Sequence, residues 1–208
     1  MKSSDSKNID IYYTIEKSEI AEIKIKGSKF IANASNAPDK DTAQDFISKI
    51  RAKYFDATHN CYAYKIGADG NEYRFTDDGE PNGSAGKPIL FTFTKFDYSD
   101  IVVVVTRYFG GTKLGVGGLV RAYSDAAEAV LSICKRKEIH CTTAVQVNCA
   151  YEDINTVKRI LSEYAVSLNE NYTDKIEVIA NIHSSKAEEF CNELYKHTNG
   201  KVIGTIIE

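Results

Sequence analysis

Hydrophobic and polar positions follow two different periods along the 208-residue chain, and the changes of period mark its elements. The clearest stretch is Ile101–Leu131. Ile101–Val105 is a β-branched run of strand length, followed by polar Thr106 and Arg107. Gly110, Gly111, Gly115, Gly117 and Gly118 then crowd into nine residues. After them Leu119, Tyr123, Ala126, Ala127, Val130, Leu131 and Cys134 recur at helical spacing. The pattern predicts a strand, a glycine-rich turn and an amphipathic helix. The basic run Lys135-Arg136-Lys137 is expected to close that helix, where its dipole favours cations.

Upstream, Ile20–Ile25 alternates apolar and charged residues, and Gly27-Ser28 turns it into a second strand through Phe30–Ala34. Asp41 and Gln44 have capping-box spacing ahead of a helical face made by Ala43, Phe46, Ile47, Ile50 and Tyr54. Cys61–Ile66 and Glu72–Phe75 read as strands joined at Asp69-Gly70-Asn71. A second glycine-bearing loop, Thr76–Pro88 (TDDGEPNGSAGKP), follows. The stretch after it fits either a helix with Pro88 near its start or a strand with Ile89, Phe91 and Phe93 on one face.

From about Thr142 the order becomes β-α-β-β-α-β. Strands are expected at Ala144–Ala150, Val166–Tyr172, Ile176–Ile182 and Val202–Ile207, with helices through Ile154–Tyr164 and Ala187–Tyr195. This is the split βαβ, ferredoxin-like plan. The expected fold class is therefore α+β with two domains, residues 1–138 and 139–208.

Charge narrows the function. The whole chain carries −3, but residues 1–138 hold 20 Lys+Arg against 19 Asp+Glu, and residues 139–208 hold 6 against 10. Any polyanion site is thus local and in the first part. Five cysteines, with no CxxC, are expected to be reduced buried thiols of a cytoplasmic protein. The polar start, expected to fray, has no apolar signal core, and no apolar run is long enough to span a membrane. No membrane partner and no cofactor are expected.

Two loops carry candidate chemistry. Beside Gly110, Gly111, Gly115, Gly117 and Gly118 stand Arg107, Lys113 and Arg121, a setting for phosphate or carboxylate at a helix start. The loop before Pro88 adds Arg74, Gly86 and Lys87. No nucleotide motif is complete: Gly115-Val116-Gly117 lacks the third glycine at position 120, and Gly86-Lys87 is followed by proline. His59, Asp77, Asp78 and Glu80 form an alternative set, acting by acid/base chemistry on a small phosphorylated or carboxylated substrate. His59 and Cys61 would share a strand face, but no further ligand completes a zinc set. The third alternative is a structural interaction module whose glycines serve tight turns and packing alone.

Four separated blocks resemble the Impact family, whose bacterial members are the YigZ-type proteins. They are Asp56–Tyr64, Arg74–Pro81, Gly83–Leu90 and Val102–Gly111, continued by Lys113-Leu114-Gly115 and Gly117–Tyr123. The resemblance covers residues 17–135 and extends to the small C-terminal domain of bacterial members. It implies a first domain akin to domain IV of elongation factor G and a superfamily of ribosomal proteins. It implies a second domain akin to that factor's domain V, and a helix from Pro88 onward. Eukaryotic members regulate translation under stress by competing for an activator of a translation-factor kinase. That partner goes with an additional N-terminal domain that this sequence does not match, and is not carried over. For bacterial members the resemblance implies a role linked to translation or nucleic-acid binding, and no catalytic residues. The leading expectation is a non-enzymatic regulator whose partner is RNA, the ribosome or a protein of translation control.

Overall fold

The computed structural model describes residues 9–207; residues 1–8 of the polar start expected to fray lie outside them, and the start's later residues enter a strand at Ile11–Ile15. The chain forms two compact units. One is Tyr12–Ile139, and the other joins the described residues up to Ile11 with those from His140 onward.

The first unit is built on a five-stranded antiparallel sheet: β2 (Glu19–Ile25), β3 (Ser28–Asn36), β4 (His59–Ile66), β5 (Glu72–Thr76) and β6 (Ile101–Tyr108). The strand order is β2-β3-β6-β4-β5, so β6 lies in the middle. Its valines alternate. Val102 and Val104 pack with Ala43, Ile47 and Ile50 of helix α1 (Lys40–Lys53). Val103 and Val105 face helices α2 (Gly86–Phe96) and α3 (Val116–Ile133), among Ile89, Phe93, Tyr123 and Val130. A strand covered on both faces needs apolar residues at every position, which is why β6 reads as an unbroken run.

Two local expectations change, and the stretch left open at Pro88 takes the helical form that the resemblance implies. Asp39, not Asp41, caps α1, its carboxylate accepting from the Thr42 amide at 2.7 Å. The ambiguous stretch at Pro88 is helical. Ile89 and Phe93, four apart, both reach zero exposure, and Pro88 sits in the first turn, where no amide is needed. The central helix ends at Ile133, before the basic run. Arg136–His140 is instead a strand, β7, paired with β1 (Ile11–Ile15) in a two-stranded sheet. The helix-end reading fails because these cations have other partners. Lys135 pairs with Glu16 at 2.7 Å, and the Arg136 guanidinium stacks 3.5 Å above the Tyr13 ring.

The second unit runs β8 (Thr142–Cys149), α4 (Ile154–Tyr164), β9 (Ala165–Tyr172), β10 (Ile176–His183), α5 (Ala187–His197) and β11 (Gly204–Ile207). Its sheet order, β11-β8-β10-β9, is that of the ferredoxin-like fold. Val157, Ile160, Leu161, Phe190 and Leu194 of the helices bury against Val145, Val147, Val178 and Ala180.

Two glycines show opposite reasons for being glycine. Lys26 (φ 46°) and Gly27 (φ 83°) make the tight β2–β3 turn, and Gly110 lies against it. A Cβ on Gly110 would stand 1.9 Å from the Gly27 carbonyl carbon, backbone against backbone. Gly117, in the first turn of α3, has nothing within 4 Å of such a Cβ. Gly110→Ala should lose about 3 kcal/mol or more in urea denaturation. Gly117→Ala should be neutral or up to about 1 kcal/mol more stable.

Candidate functional site

The acidic turn after β5 folds as a tight reversal. Asp78 (φ 46°) and Gly79 (φ 87°) occupy its centre, and the Glu80 amide donates to the Asp77 carbonyl at 2.9 Å. This geometry sends the three carboxylates in different directions. Asp77 accepts from the amides of Gly83 (2.8 Å), Ala85 and Gly86 (2.9 Å each), so the chain's own carboxylate occupies the N-terminal end of α2. Asp78 accepts from the Asn60 amide and from Arg51, both at 2.7 Å. Glu80 points inward, where its Oε1 meets Arg107 Nη1 at 2.5 Å and the Tyr123 hydroxyl at 2.9 Å. Among the described residues no group of three His, Cys, Asp or Glu side chains is arranged to hold a metal ion.

His59 and Arg107 meet because of strand register. Arg107 lies directly opposite Phe30 on one side and His59 on the other, which puts all three on one face of the sheet. The His59 Nδ1 is 2.8 Å from the Asp78 carbonyl, which can only accept, so Nδ1 carries the proton. Its Nε2 then lies 3.8 Å from Glu80. Cys61, on the same strand, is fully buried, with its Sγ 3.0 Å from the Asp77 carbonyl and 3.4 Å from the Tyr123 hydroxyl. Burial pushes this thiol far above its ordinary range, and pushes the Tyr123 phenol up likewise. Cys61 is therefore no ready thiolate. Of the proposed acid/base set, His59 and Glu80 come together. Asp77 and Asp78 are turned away into loop-building bonds.

Arg107 is a buried side chain, not an open cation. Its guanidinium lies 5.5 Å from the Phe30 ring centre and 5.6 Å from that of Phe109, and Nη2 reaches the Ser28 hydroxyl at 3.4 Å. Its Nε is buried with no hydrogen-bond partner. In front of it opens a cavity of about 350 Å³, between the two glycine-bearing loops. Glu80 and Pro81 line it from one loop, and Lys113, Leu114 and Gly115 from the other. Phe109, Val116 and Leu119 complete the wall. Gly115 (φ 72°) precedes α3 with no side-chain cap, so the first-turn amides of that helix are left for another partner.

The remaining candidates lie outside the lining of this cavity. Arg74 is exposed on β5 and faces the α1 side, opposite Tyr64. Lys87 is exposed on α2, over the Phe91 ring, in a separate groove with Tyr73 and Phe75. Arg121 is exposed on α3. Gly86 is a packing glycine, since its Cβ would stand 2.6 Å from the Thr76 carbonyl oxygen. Gly111 (φ 84°) serves the turn, and Gly117 and Gly118 begin α3. The apolar wall (Phe109, Leu114, Val116, Leu119) was not read as part of a site, although Leu114 and Val116 lie within the glycine-rich stretch and Phe109 and Leu119 flank it.

Together these features define a two-domain α+β protein with a mostly apolar cleft between its two loops. The model of the Impact N-terminal domain matches residues 26–131, and that of a domain of unknown function (DUF1949) matches 147–201. The chain is 35% identical to IMPACT family member YvyE of Bacillus subtilis, over 91% of this chain and 88% of the relative. It is 31% identical to IMPACT family member YigZ of Escherichia coli, over 86% and 89%. A crystal structure described as a hypothetical protein aligns over 96% of this chain and 98% of that one, with 28% identity and a TM-score of 0.66. The chain belongs to the Impact family.

The buried thiol gives a direct check on the local chemistry. At about pH 8, alkylation of the native protein should leave Cys61 unmodified, and labelling should appear only in urea. Rapid native labelling of Cys61 would place an accessible thiolate beside His59.

Proposed function

We propose that this protein is a non-enzymatic regulator linked to translation, binding RNA at the α3 end of its first unit. The observation that carries this reading is the cavity between the loops, at whose edge a helix begins uncapped near exposed Lys113. Backbone amides at a helix start and a neighbouring ammonium suit a phosphate oxygen. Exposed Arg121 adds positive charge to the same helix. Membership of the Impact family is consistent with the translation link. The absence of a catalytic role is supported by the bonding of the acid/base set: Asp77 and Asp78 accept backbone amides, and Glu80 is paired with Arg107. No helix among the described residues is long and apolar enough to cross a membrane.

The test uses exposed cations, because reversing Arg107 would leave Glu80 buried and unpaired. Lys113→Glu with Arg121→Glu should keep the fold and weaken RNA binding at least about tenfold in fluorescence anisotropy. It should also flatten the salt dependence by roughly two phosphate contacts. Unchanged affinity in this double variant would remove the site.

A further inference from the structure

We propose that the chain forms a two-fold dimer in which the β5 edge pairs antiparallel with β5 of a second copy, centred on Tyr73. This surface is separate from the cavity above, and the dimer does not depend on RNA binding.

β5 ends the five-stranded sheet and, among the described residues, pairs with β4 alone. Its other side presents backbone amides and carbonyls that no strand answers. At the opposite edge, the apolar residues of β2 (Ala21, Ile23, Ile25) pack against the core shared with α3. On β5 the aromatic residues stand in solvent, Tyr73 at 56% and Phe75 at 39% exposure. Both lie on the α2 side of the sheet, because Phe75 is directly opposite the core residue Ala63. Over them α2 turns Lys87, Leu90, Phe91 and Thr94, which share one helix face, and Phe91 is 64% exposed. Strand and helix together enclose a groove of about 240 Å³. An aromatic groove beside an open strand edge is the setting for strand addition.

The other face of the strand identifies the occupant. Glu72 and Arg74 are exposed on the α1 side, and neither has an ion-pair partner among the described residues. A two-fold axis perpendicular to the sheet keeps like faces together. Placed at Tyr73, it sets Glu72 opposite Arg74 of the second copy and Arg74 opposite its Glu72, which makes two opposite-charge pairs. On the groove side Tyr73 meets its own counterpart, with Phe75 diagonal to it. Placed at Arg74, the axis would set two guanidinium groups against each other. Placed at Phe75, it would run Tyr73 into the acidic turn at Asp77. The strand is thus complementary to itself in charge in the register centred on Tyr73. The ladder is only a few residues long, so the aromatic side chains and α2 supply most of the buried area. The dimer therefore belongs to the weak, concentration-dependent class.

The experiment is sedimentation equilibrium on the full chain at low salt, where the wild-type protein should show a monomer–dimer equilibrium. Glu72→Arg leaves only cations facing one another across the axis, and Arg74→Glu leaves only anions. Each should weaken self-association at least about tenfold. Both positions are exposed, so circular dichroism should show an unchanged fold. An equal mixture of the two variants should associate again at wild-type strength or better, because the extra charges of one are answered by those of the other. A monomer at every concentration overturns the proposal and leaves the edge to an extended segment of another protein. Self-association that ignores both changes, or that is lost in the variants and not regained on mixing, overturns it as well.

Discussion

The buried pair of Glu80 and Arg107 is the interaction on which the first unit's loops depend. Glu80 belongs to the turn after β5, Arg107 to the end of β6, and Tyr123, which also donates to Glu80, to α3. Three segments far apart in sequence are thus tied at one carboxylate oxygen. Withdrawing two charges from water costs several kcal/mol, and a good geometry with added hydrogen bonds is what recovers it. Here the Tyr123 hydroxyl supports the carboxylate, while the Ser28 hydroxyl and two aromatic faces surround the guanidinium. The pair therefore ties the Thr76–Pro88 loop to the end of β6, where the Gly110–Gly118 loop begins.

The same pair recasts the site. Counted along the chain, Arg107, Lys113 and Arg121 look like three open cations next to a glycine-rich turn. In the folded unit one of the three is neutralised, one lines the cavity rim, and one lies outside its lining. What remains is an apolar pocket with a polar floor and an anion-suited edge. The glycines divide in a parallel way: Gly86 and Gly110 admit close backbone contact, whereas Gly117 meets nothing and leaves the start of α3 open. Neither a purely structural nor a purely ligand-binding account covers all of them.

Much of the fold was legible because burial imposes period. The run Ile101–Val105 shows a strand covered on both faces, and the β-α-β-β-α-β order of the second unit shows in its alternating periods. β7 was not legible, since Arg136–His140 is almost wholly exposed and carries no apolar signature, and β1 was passed over with the polar start although its Ile15 is fully buried. The Asp39 cap was hidden by the equally plausible Asp41, which sits in the first turn instead. For the site, residue types were visible but their partners were not. That Arg107 stands between Phe30 and His59 depends on a strand order, β3-β6-β4, that does not follow the chain. Which carboxylate would meet which cation depends on the left-handed turn at Asp78-Gly79, and it fans the three acidic groups apart.

The most direct measurement is a double-mutant cycle on the pair itself, with Glu80→Gln, Arg107→Met and the combined variant unfolded in urea. Each single change should leave a buried charge without its partner and cost about 3 kcal/mol. The combined variant should be more stable than the sum of the singles requires, by about 2 kcal/mol or more. Simple additivity of the two changes would contradict the account, because the loops would then be held together by something other than this ion pair.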